Sequence, residues 1–387
     1  MRDVPGVGIG ACVHYELAVL ERGRVVERRA RKRNLILDQG LNLVASQRWC
    51  DLFSYAVVGT GTTPVKRDSG AITFTRAGST VTASAGFFAA DDVGRLFKFD
   101  SGEECYITAF TDTQNVTVSV AGTVAASEGT VWYVNQTAHA AEVKRSNSYG
   151  VDSGDNGLTY SLGSMVNKRT IIFSAEASPI VYNEIGWSYT ATPGANLFGR
   201  DIISGGISLA AGQQLKVIVT LTLTVTPQAS TAYTNVVAGW SQDGNYNAES
   251  ISTNFARAIS FVNGDGSTAV QGQQVFEPSL AKTINLSTDT TALVAQTSTT
   301  LTFSGSVGNK TLNPDTYVTG TFTRTFRGTF AIAEGNSNAI RSLVVTGGAG
   351  VIDRIFRVLL NAAETKDSAH TLELVFRLTW GRVLSNT

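Results

Sequence analysis

The sequence predicts an all-β protein: two tandem-duplicated, jelly-roll-like β-sandwich domains, a small inserted β domain and an N-terminal β-hairpin. Three observations support this prediction. The 387 residues include 38 glycines and only 16% charged residues, a composition typical of turn-rich β structure. Apolar and polar residues alternate in several runs. The landmarks of the first half also recur, in the same order, in the second half.

Two runs show the alternation most clearly, LKVIVTLTLTVT at 215–226 and TLELVFRLTW at 371–380. In a β-strand, alternate residues point to the same face, so each run predicts a strand with one apolar face. Each run also closes a longer block, at 171–203 and 329–360. The two blocks have similar landmarks in the same order, which indicates an internal repeat.

The landmarks of the repeat are a phenylalanine, an Ala-Glu pair, an asparagine followed by an isoleucine, and an arginine before an apolar pair. They lie at Phe173/Phe330, Ala175-Glu176/Ala333-Glu334, Asn183-Ile185/Asn338-Ile340 and Arg200/Arg354. In addition, GTGTTPV at 59–65 matches GDGSTAV at 264–270. These matches predict a tandem duplication with copies near 34–227 and 235–382.

The first copy is longer because of one segment. Residues 66–134 have their own turn signals and alternating runs, such as VTVSV at 116–120, and therefore predict a small β domain inserted in a loop. The first β-sandwich domain then comprises 34–65 and 135–227, and the second comprises 228–387. Residues 1–33 are predicted to form a hairpin arm that turns near Gly23.

Helical signal is concentrated in DQGLNLVASQRW at 38–49. Asp38 is a suitable N-cap residue, and Leu41, Val44 and Ala45 follow at helical spacing. We expect one short helix there. Trp187, Trp240 and Trp380 are candidates for stacking on a glycan, but Trp187 and Trp380 lie in apolar runs and are expected in the cores.

The only dense charge run is at 22–33, where seven of twelve residues are Lys or Arg and Glu27 is the one acidic residue. Strand alternation would place Arg29, Arg31 and Arg33 on one side and Arg28 and Lys32 on the other. These five residues form the candidate assembly interface. Three interpretations remain open: a solvated strand face that blunts edge pairing, a docking arm for an acidic surface on a neighbouring protein, and, in third place, contact with DNA, for which the rest of the chain supplies no matching basic surface.

Several function classes find no support in the sequence. The 31 basic and 31 acidic residues give no net charge, whereas a nucleic-acid binder normally has a basic excess. The Gly-Thr-Gly at 59–61 is not followed by a helix, as a phosphate loop requires. The acidic turn at 152–157 lacks the ligand spacing of a calcium loop. We expect no catalytic residues, no cofactor and no metal site.

The cysteines and histidines agree with that expectation. Cys12, Cys50 and Cys105 lack C-x-x-C spacing, and the three histidines are far apart in the sequence. The N-terminus lacks the apolar run of a signal peptide, and no segment has the length of a membrane span. We therefore expect a chain made in the cytosol, without membrane insertion.

The first copy resembles a group of tailed-bacteriophage virion proteins, the tail and tail-fibre family. The resemblance rests on NLILDQGL at 34–41, YAVVGTGTT at 55–63, NEIGW at 183–187 and NLFGR at 196–200. In the inserted segment, FAADDVGR at 88–95 is similar to a small β module of phage structural proteins. The resemblance covers most of 10–227 and, more faintly, 235–382.

This resemblance implies a non-enzymatic virion protein, assembled in the host bacterial cytoplasm, that forms or attaches a tail appendage. Its partners would be other virion proteins and copies of itself. Two alternatives remain open. One is a capsid decoration, or cement, protein. The other is a receptor-recognition protein that binds a host-surface glycan.

Overall fold

The computed structural model describes residues 2–45, 49, 51–150, 154–161, 164–225, 228–237, 240–248, 283–292, 304–346 and 354–384. These residues form an all-β fold. Their helical structure is limited to α1 (Asp38–Leu43) and a 3-10 turn at Ala90–Asp92. The predicted all-β class is therefore confirmed, and the architecture is that of a β-sandwich.

The first strands of the chain are β1 (Arg2–Glu21), β2 (Arg24–Ile36) and β3 (Tyr55–Gly59). The inserted segment contributes β4 (Lys66–Asp68), β5 (Phe74–Ala83), β6 (Leu96–Phe99), β7 (Glu104–Phe110), β8 (Asn115–Ser127) and β9 (Gly129–Trp132). The first half continues with β10 (Glu142–Ser146), β11 (Gly157–Ser161), β12 (Ser164–Ile172), β13 (Ile180–Ser188), β14 (Leu197–Leu209) and β15 (Gln214–Val225).

The second half contains β16 (Gln228–Val237), β17 (Trp240–Ala248), β18 (Thr283–Ser287), β19 (Ser306–Thr311), β20 (Asn313–Pro314), β21 (Thr323–Phe330), β22 (Ser337–Thr346), β23 (Arg354–Lys366) and β24 (Leu372–Arg382).

Two layers of strands enclose the core of the first half. The strand order is β10-β3-β13-β14-β2-β1-β15-β12-β11. Strand β2 connects the two layers: its end, at Leu35 and Ile36, pairs with β14, whereas the rest of it pairs with β1. Alternate residues of β1, such as Val13 and Leu17, are buried against the alternate apolar residues of β15. The other layer supplies Trp187, among others, to the same core.

The second half has its own six-stranded sheet, in the order β16-β17-β23-β22-β18-β19, and adds β20, β21 and β24 to the large sheet. The sheet β1-β2-β14-β13-β3-β10 has the same strand order, and β12 pairs with β15 as β21 pairs with β24. This shared strand order is what a duplication predicts, and the duplication itself stays a prediction. Superposition of 155–227 on 317–382 stays a prediction.

The strand pairing changes three parts of the predicted repeat. Arg357, not Arg354, occupies the place of Arg200. Ser342 occupies the place of Glu184, so Asn338-Ile340 does not correspond to Asn183-Ile185.

The strand that occupies the place of β3 is β18, and the sequence from 287, STDTT, corresponds to GTGTT from 59. The segment at 264–270, which we aligned with 59–65, lies outside the described residues. The glycine pattern does not reveal this correspondence, because Asp289 stands where the first half has Gly61.

The inserted segment forms a separate six-stranded sheet with the order β4-β9-β6-β7-β8-β5 and its own apolar core, which includes Phe74, Phe97 and Phe99. We call these strands, from Lys66 to Trp132, the inserted module. Because the first and last of them pair with each other, the chain leaves and re-enters the host at one place. A second apolar cluster joins module and host, with Leu96 of the module against Leu35, Leu37 and Val57.

The predicted N-terminal hairpin is present, with Arg22 and Gly23 at positive φ in its turn, as a two-residue hairpin loop requires. It does not stand apart as an arm. β1 pairs with β15 from Ile9 to Leu20 and runs parallel to β24 from Arg2 to Ala11. The apolar face of β1 belongs to the core, so the hairpin is integrated in the large sheet.

Helix α1 is shorter than predicted and begins differently. Leu37, not Asp38, is the N-cap residue and makes no side-chain cap bond. The carboxylate of Asp38 instead accepts a hydrogen bond from Tyr106 of the module, at 2.8 Å, and one from Arg382 of β24. Trp187 and Trp380 are buried as expected. Trp240 lies in β17.

Candidate functional site

The basic residues of β2 do not alternate as the sequence predicts. Lys32 pairs with Tyr15 and Arg29 pairs with Leu17, so a β-bulge inserts one extra residue in β2 between these pairs. Tyr15 and Leu17 are buried on the core-facing side of β1. Cross-strand partners share a face, so Arg29 and Lys32 lie on that side. The predicted grouping of Arg29 with Arg31 and Arg33 is therefore wrong.

The opposite face holds Arg33, which pairs with His14, and Arg28, which pairs with Ala18. Arg31 and Arg33 line a cleft of about 720 Å³ together with His14, Lys66 and Trp132. We call it the junction cleft, because its walls come from the hairpin, the start and end of the module, β14 and the segment after β24. Sequence alternation could not locate it, since the bulge and the module docking both depend on tertiary structure.

The junction cleft has an excess of positive charge. Asp201 is its one acidic lining residue, and the Tyr15 hydroxyl donates a 2.7 Å hydrogen bond to it. Lys66 pairs with Asp68 at 2.9 Å. Within the described part of the chain, Arg31, Lys32 and Arg33 form no ion pair, whereas Arg29 pairs with Glu27 at 2.7 Å. These three cations line the cleft without a direct ion pair to a described carboxylate, although the charge of Lys32 opposes the rise in the pKa of Asp201.

The pKa values of nearby groups reflect this environment. Burial, together with the charges of Arg31 and Arg33, lowers the pKa of His14. Burial raises the pKa of Asp201, although the hydrogen bond from Tyr15 opposes the rise. Burial also raises the pKa of Cys12, whose sulfur lies 3.6 Å from His14 Nδ1. The Arg and Lys side chains, not His14, therefore supply the positive charge of the cleft at neutral pH.

The backbone of β2 adds a second property. Strands β2 and β14 pair only at Leu35 and Ile36, opposite Arg200 and Gly199, and the pairing ends there. No other strand of the described chain pairs with Arg24–Asn34 on the side away from β1. A smaller cavity of about 280 Å³, lined by Arg29, Lys32 and Ser204, continues from the junction cleft along this edge. The site is a wedge between two strands, basic on both faces.

A second ionisable cluster, which the sequence analysis missed, is buried behind the loop at 59–63. Arg200 pairs with Glu184 at 2.8 Å, and both side chains are at most 1% exposed. The carboxylate of Glu184 also accepts hydrogen bonds from the backbone N–H groups of Gly61, Ala140 and Ala141. The glycine-rich motif therefore approaches a carboxylate of the chain itself. A glutamate in a strand followed by an arginine in the next strand was the available sequence signal.

Other motifs also have structural roles. In FAADDVGR, the buried Asp92 pairs with Arg67 at 2.5 Å and with Arg95 at 2.6 Å, which ties β4 to the 3-10 turn. Asp155, from the acidic turn, pairs with Lys216 at 3.1 Å. The described residues contain no group of three or more His, Cys, Asp or Glu side chains that could hold a metal ion. None of their helices is long and apolar enough to cross a membrane.

Comparisons with known proteins give no match: no family model, no curated protein and no solved structure is similar to the chain.

Proposed function

We propose that the chain is a non-enzymatic structural protein of a tailed-phage virion, which forms or attaches a tail appendage. The observation that carries the proposal is the set of cations on β2 that form no ion pair with the described residues, in a protein without net charge. Clustered like charges repel one another unless anionic groups approach them. A contact with a carboxylate-bearing neighbour in an assembly supplies those groups.

The buried ionic groups support the same proposal. Glu184 with Arg200 and Asp92 with Arg67 connect strands and loops inside the fold, so their charges serve the stability of the chain. The resemblance of the first copy to tail and tail-fibre proteins gives the assembly its setting. On β2, Arg29 pairs with Glu27, whereas Arg31, Lys32 and Arg33 are left for contacts outside the chain.

Mass spectrometry of purified particles from the phage that encodes the chain tests this proposal. We expect the chain in the particles, at a copy number equal to a small multiple of three or six. Hundreds of copies per particle would replace the tail assignment with a capsid decoration role. Purified, infectious particles that lack the chain would overturn the proposal.

A further inference from the structure

The wedge between β2 and β14 combines a strand edge with a basic cleft, and this combination specifies a ligand more narrowly than charge alone. The junction cleft lies on one face of β2 and the smaller cavity on the other. A strand edge presents backbone N–H and C=O groups to another extended chain. Basic side chains on both faces then meet acidic side chains that alternate along that chain.

We infer that an extended, carboxylate-rich segment of a neighbouring virion protein binds in this wedge and adds a strand to the edge of β2. The inference rests on the proposed function and names the chemistry of the partner. Arg31 and Arg33 would pair with carboxylates on the cleft side, and Lys32 with one on the opposite side. The guanidinium group suits this role because it binds a carboxylate through two parallel hydrogen bonds.

Three observations favour a peptide over a nucleic acid. The basic residues are local, and the formal charge of the whole chain is zero, whereas nucleic-acid binding depends on an extended basic surface. The cleft volume of about 720 Å³ falls in the range of about 300–1,000 Å³ usual for small ligand sites. The unpaired strand edge, finally, matches a polypeptide backbone and has no counterpart in phosphate recognition.

Trp132 and Lys66 close the end of the cleft nearest the module. The Lys66 ammonium lies 5.4 Å from the centre of the Trp132 ring, so one face of the indole is covered by a cation. Stacking of a sugar ring on that face is blocked, whereas a carboxylate can still approach the ammonium. This contact favours an acidic peptide over a neutral glycan.

The test is fluorescence anisotropy of the full-length chain with a labelled hexaglutamate peptide at low ionic strength. We expect saturable binding that weakens as salt is added, since exposed charge pairs are screened. The variant Arg31→Gln/Arg33→Gln should weaken binding by about tenfold or more, because both pairs on the cleft side are lost. The matched control is Arg24→Gln/Arg28→Gln, which removes the same charge from exposed positions of the same strand outside both cavities.

A second peptide separates strand addition from simple charge attraction. Hexaglutamate that is methylated on alternate backbone nitrogens keeps its six carboxylates but loses the N–H groups that bond to a strand edge. We expect it to bind about tenfold more weakly than the unmodified peptide. Circular dichroism spectra of each variant and of the unmodified chain show whether a loss of binding comes from a loss of folded structure.

Four outcomes would overturn the inference: no binding of hexaglutamate, equal loss in the test and control variants, equal binding of the methylated peptide, or tighter binding of a sulfated polysaccharide than of the peptide. Particle incorporation distinguishes this failure from failure of the proposed function. If Arg31→Gln/Arg33→Gln enters particles at normal levels, only the wedge assignment is wrong. If the unmodified chain is missing from particles, the proposed function is wrong whatever the peptide binds.

Discussion

The two halves of the molecule each bury an arginine at the same place in the fold but obtain its carboxylate partner from different strands. Arg200 pairs in register with Gly186 on β13, and Arg357 pairs with Val344 on the equivalent strand β22. In the first half, the carboxylate is Glu184, within β13. In the second half it is Asp289, just after β18, at 3.6 Å from Arg357.

Both carboxylates also accept a hydrogen bond from a backbone N–H group that lies just before a neighbouring strand. Glu184 accepts a hydrogen bond from the N–H of Ala140, just before β10, at 3.0 Å. Asp289 accepts one from the N–H of Ser304, just before the equivalent strand β19, at 2.9 Å. Where the second half has Asp289 the first has Gly61, and where the first half has Glu184 the second has Ser342. The halves therefore preserve an interaction rather than the residues that make it.

The largest expected effect tests whether the halves are equivalent in their cores. Phe173 and Phe330 are both at most 1% exposed and hold the same position relative to the closing strand, beside Leu215 and Leu372. We predict that Phe173→Ala and Phe330→Ala each cost about 3–5 kcal/mol in free energy of unfolding. Urea unfolding followed by circular dichroism measures both.

The matched controls are Val181→Ala and Ile332→Ala, one exposed apolar residue in each half, which should change stability by no more than about 0.5 kcal/mol. A large cost for one phenylalanine and a small cost for the other would break the equivalence of the two positions.

The next prediction transfers the arrangement of the second half into the first. A Cβ on Gly61 would lie 2.5 Å from Glu184 Oε1, and a second carboxylate would repel the first. Gly61→Asp alone should therefore cost about 3 kcal/mol or more. Glu184→Ser alone strands the buried Arg200 and should cost about as much. Together, they recreate the Asp–Ser arrangement of the second half.

We expect the double variant to be about 2 kcal/mol more stable than the sum of the single effects predicts. A four-member cycle of urea unfolding curves gives this coupling free energy. The contact of the new Cβ with the Ala141 nitrogen, at 2.9 Å, keeps the rescue incomplete. Additive single effects would show that the two carboxylate positions are not interchangeable.

The inserted module is a further difference between the halves. Residues 60–141 connect β3 to β10 in the first half, whereas residues 288–305 connect the equivalent strands β18 and β19 in the second. Lys66 and Trp132 pair with each other, so residues 67–131 can be replaced by a short Gly/Ser bridge without moving the host strands. The expected cost is about 2 kcal/mol, from the loss of Leu96 and Tyr106 against the host cluster. Loop closure adds little, as it changes by about 0.6 kcal/mol per doubling of length.

The full-length variant Leu96→Ala is the control for this deletion, since it removes one of those contacts and leaves the module in place. Cooperative urea unfolding of the shortened chain, with a modest loss of stability, is the expected result. Non-cooperative unfolding would mean that the module is part of the host core.

Features that depend on residues close together in the sequence could be predicted from it, whereas features that depend on distant residues could not. Alternation over 215–226 predicts β15 because strand periodicity is local. The turn at Gly23 is also a local signal. The prediction that Arg29 and Arg31 share a face is wrong because the bulge adds one residue to β2 and so reverses the faces of the residues that follow it. The partner of Arg200 and the walls of the junction cleft depend on strands far apart in sequence, which periodicity cannot bring together.

The smallest expected effect is the loss of stability that histidine protonation causes between about pH 7 and 5, which should come from the first half. His139 is buried, neither ring nitrogen forms a hydrogen bond within the described structure, and Nδ1 lies 3.8 Å from Glu184 Oε1. Burial, opposed in part by the Glu184 carboxylate, lowers the pKa of His139 to about 4. Burial also lowers the pKa of His14. The second half contains His370 alone, on the surface.

The direction of the effect follows from proton binding. Between the ordinary pKa of histidine and about 4, the unfolded chain binds a proton at residue 139 that the folded chain does not. The free energy of unfolding should therefore fall as the pH falls, by up to about 1.4 kcal/mol per pH unit from this residue. The interactions with His139 and Arg200 lower the pKa of Glu184 against the effect of burial, so protonation of Glu184 reduces the stability only at lower pH.

Urea unfolding at pH values between about 7 and 5 measures the slope. His139→Leu should remove most of it, whereas His370→Leu, the matched change in the second half, should keep it. Equal slopes in the unmodified chain and in His139→Leu would show that residue 139 is protonated in the folded state, and the acid-sensitive difference between the halves would have to be abandoned.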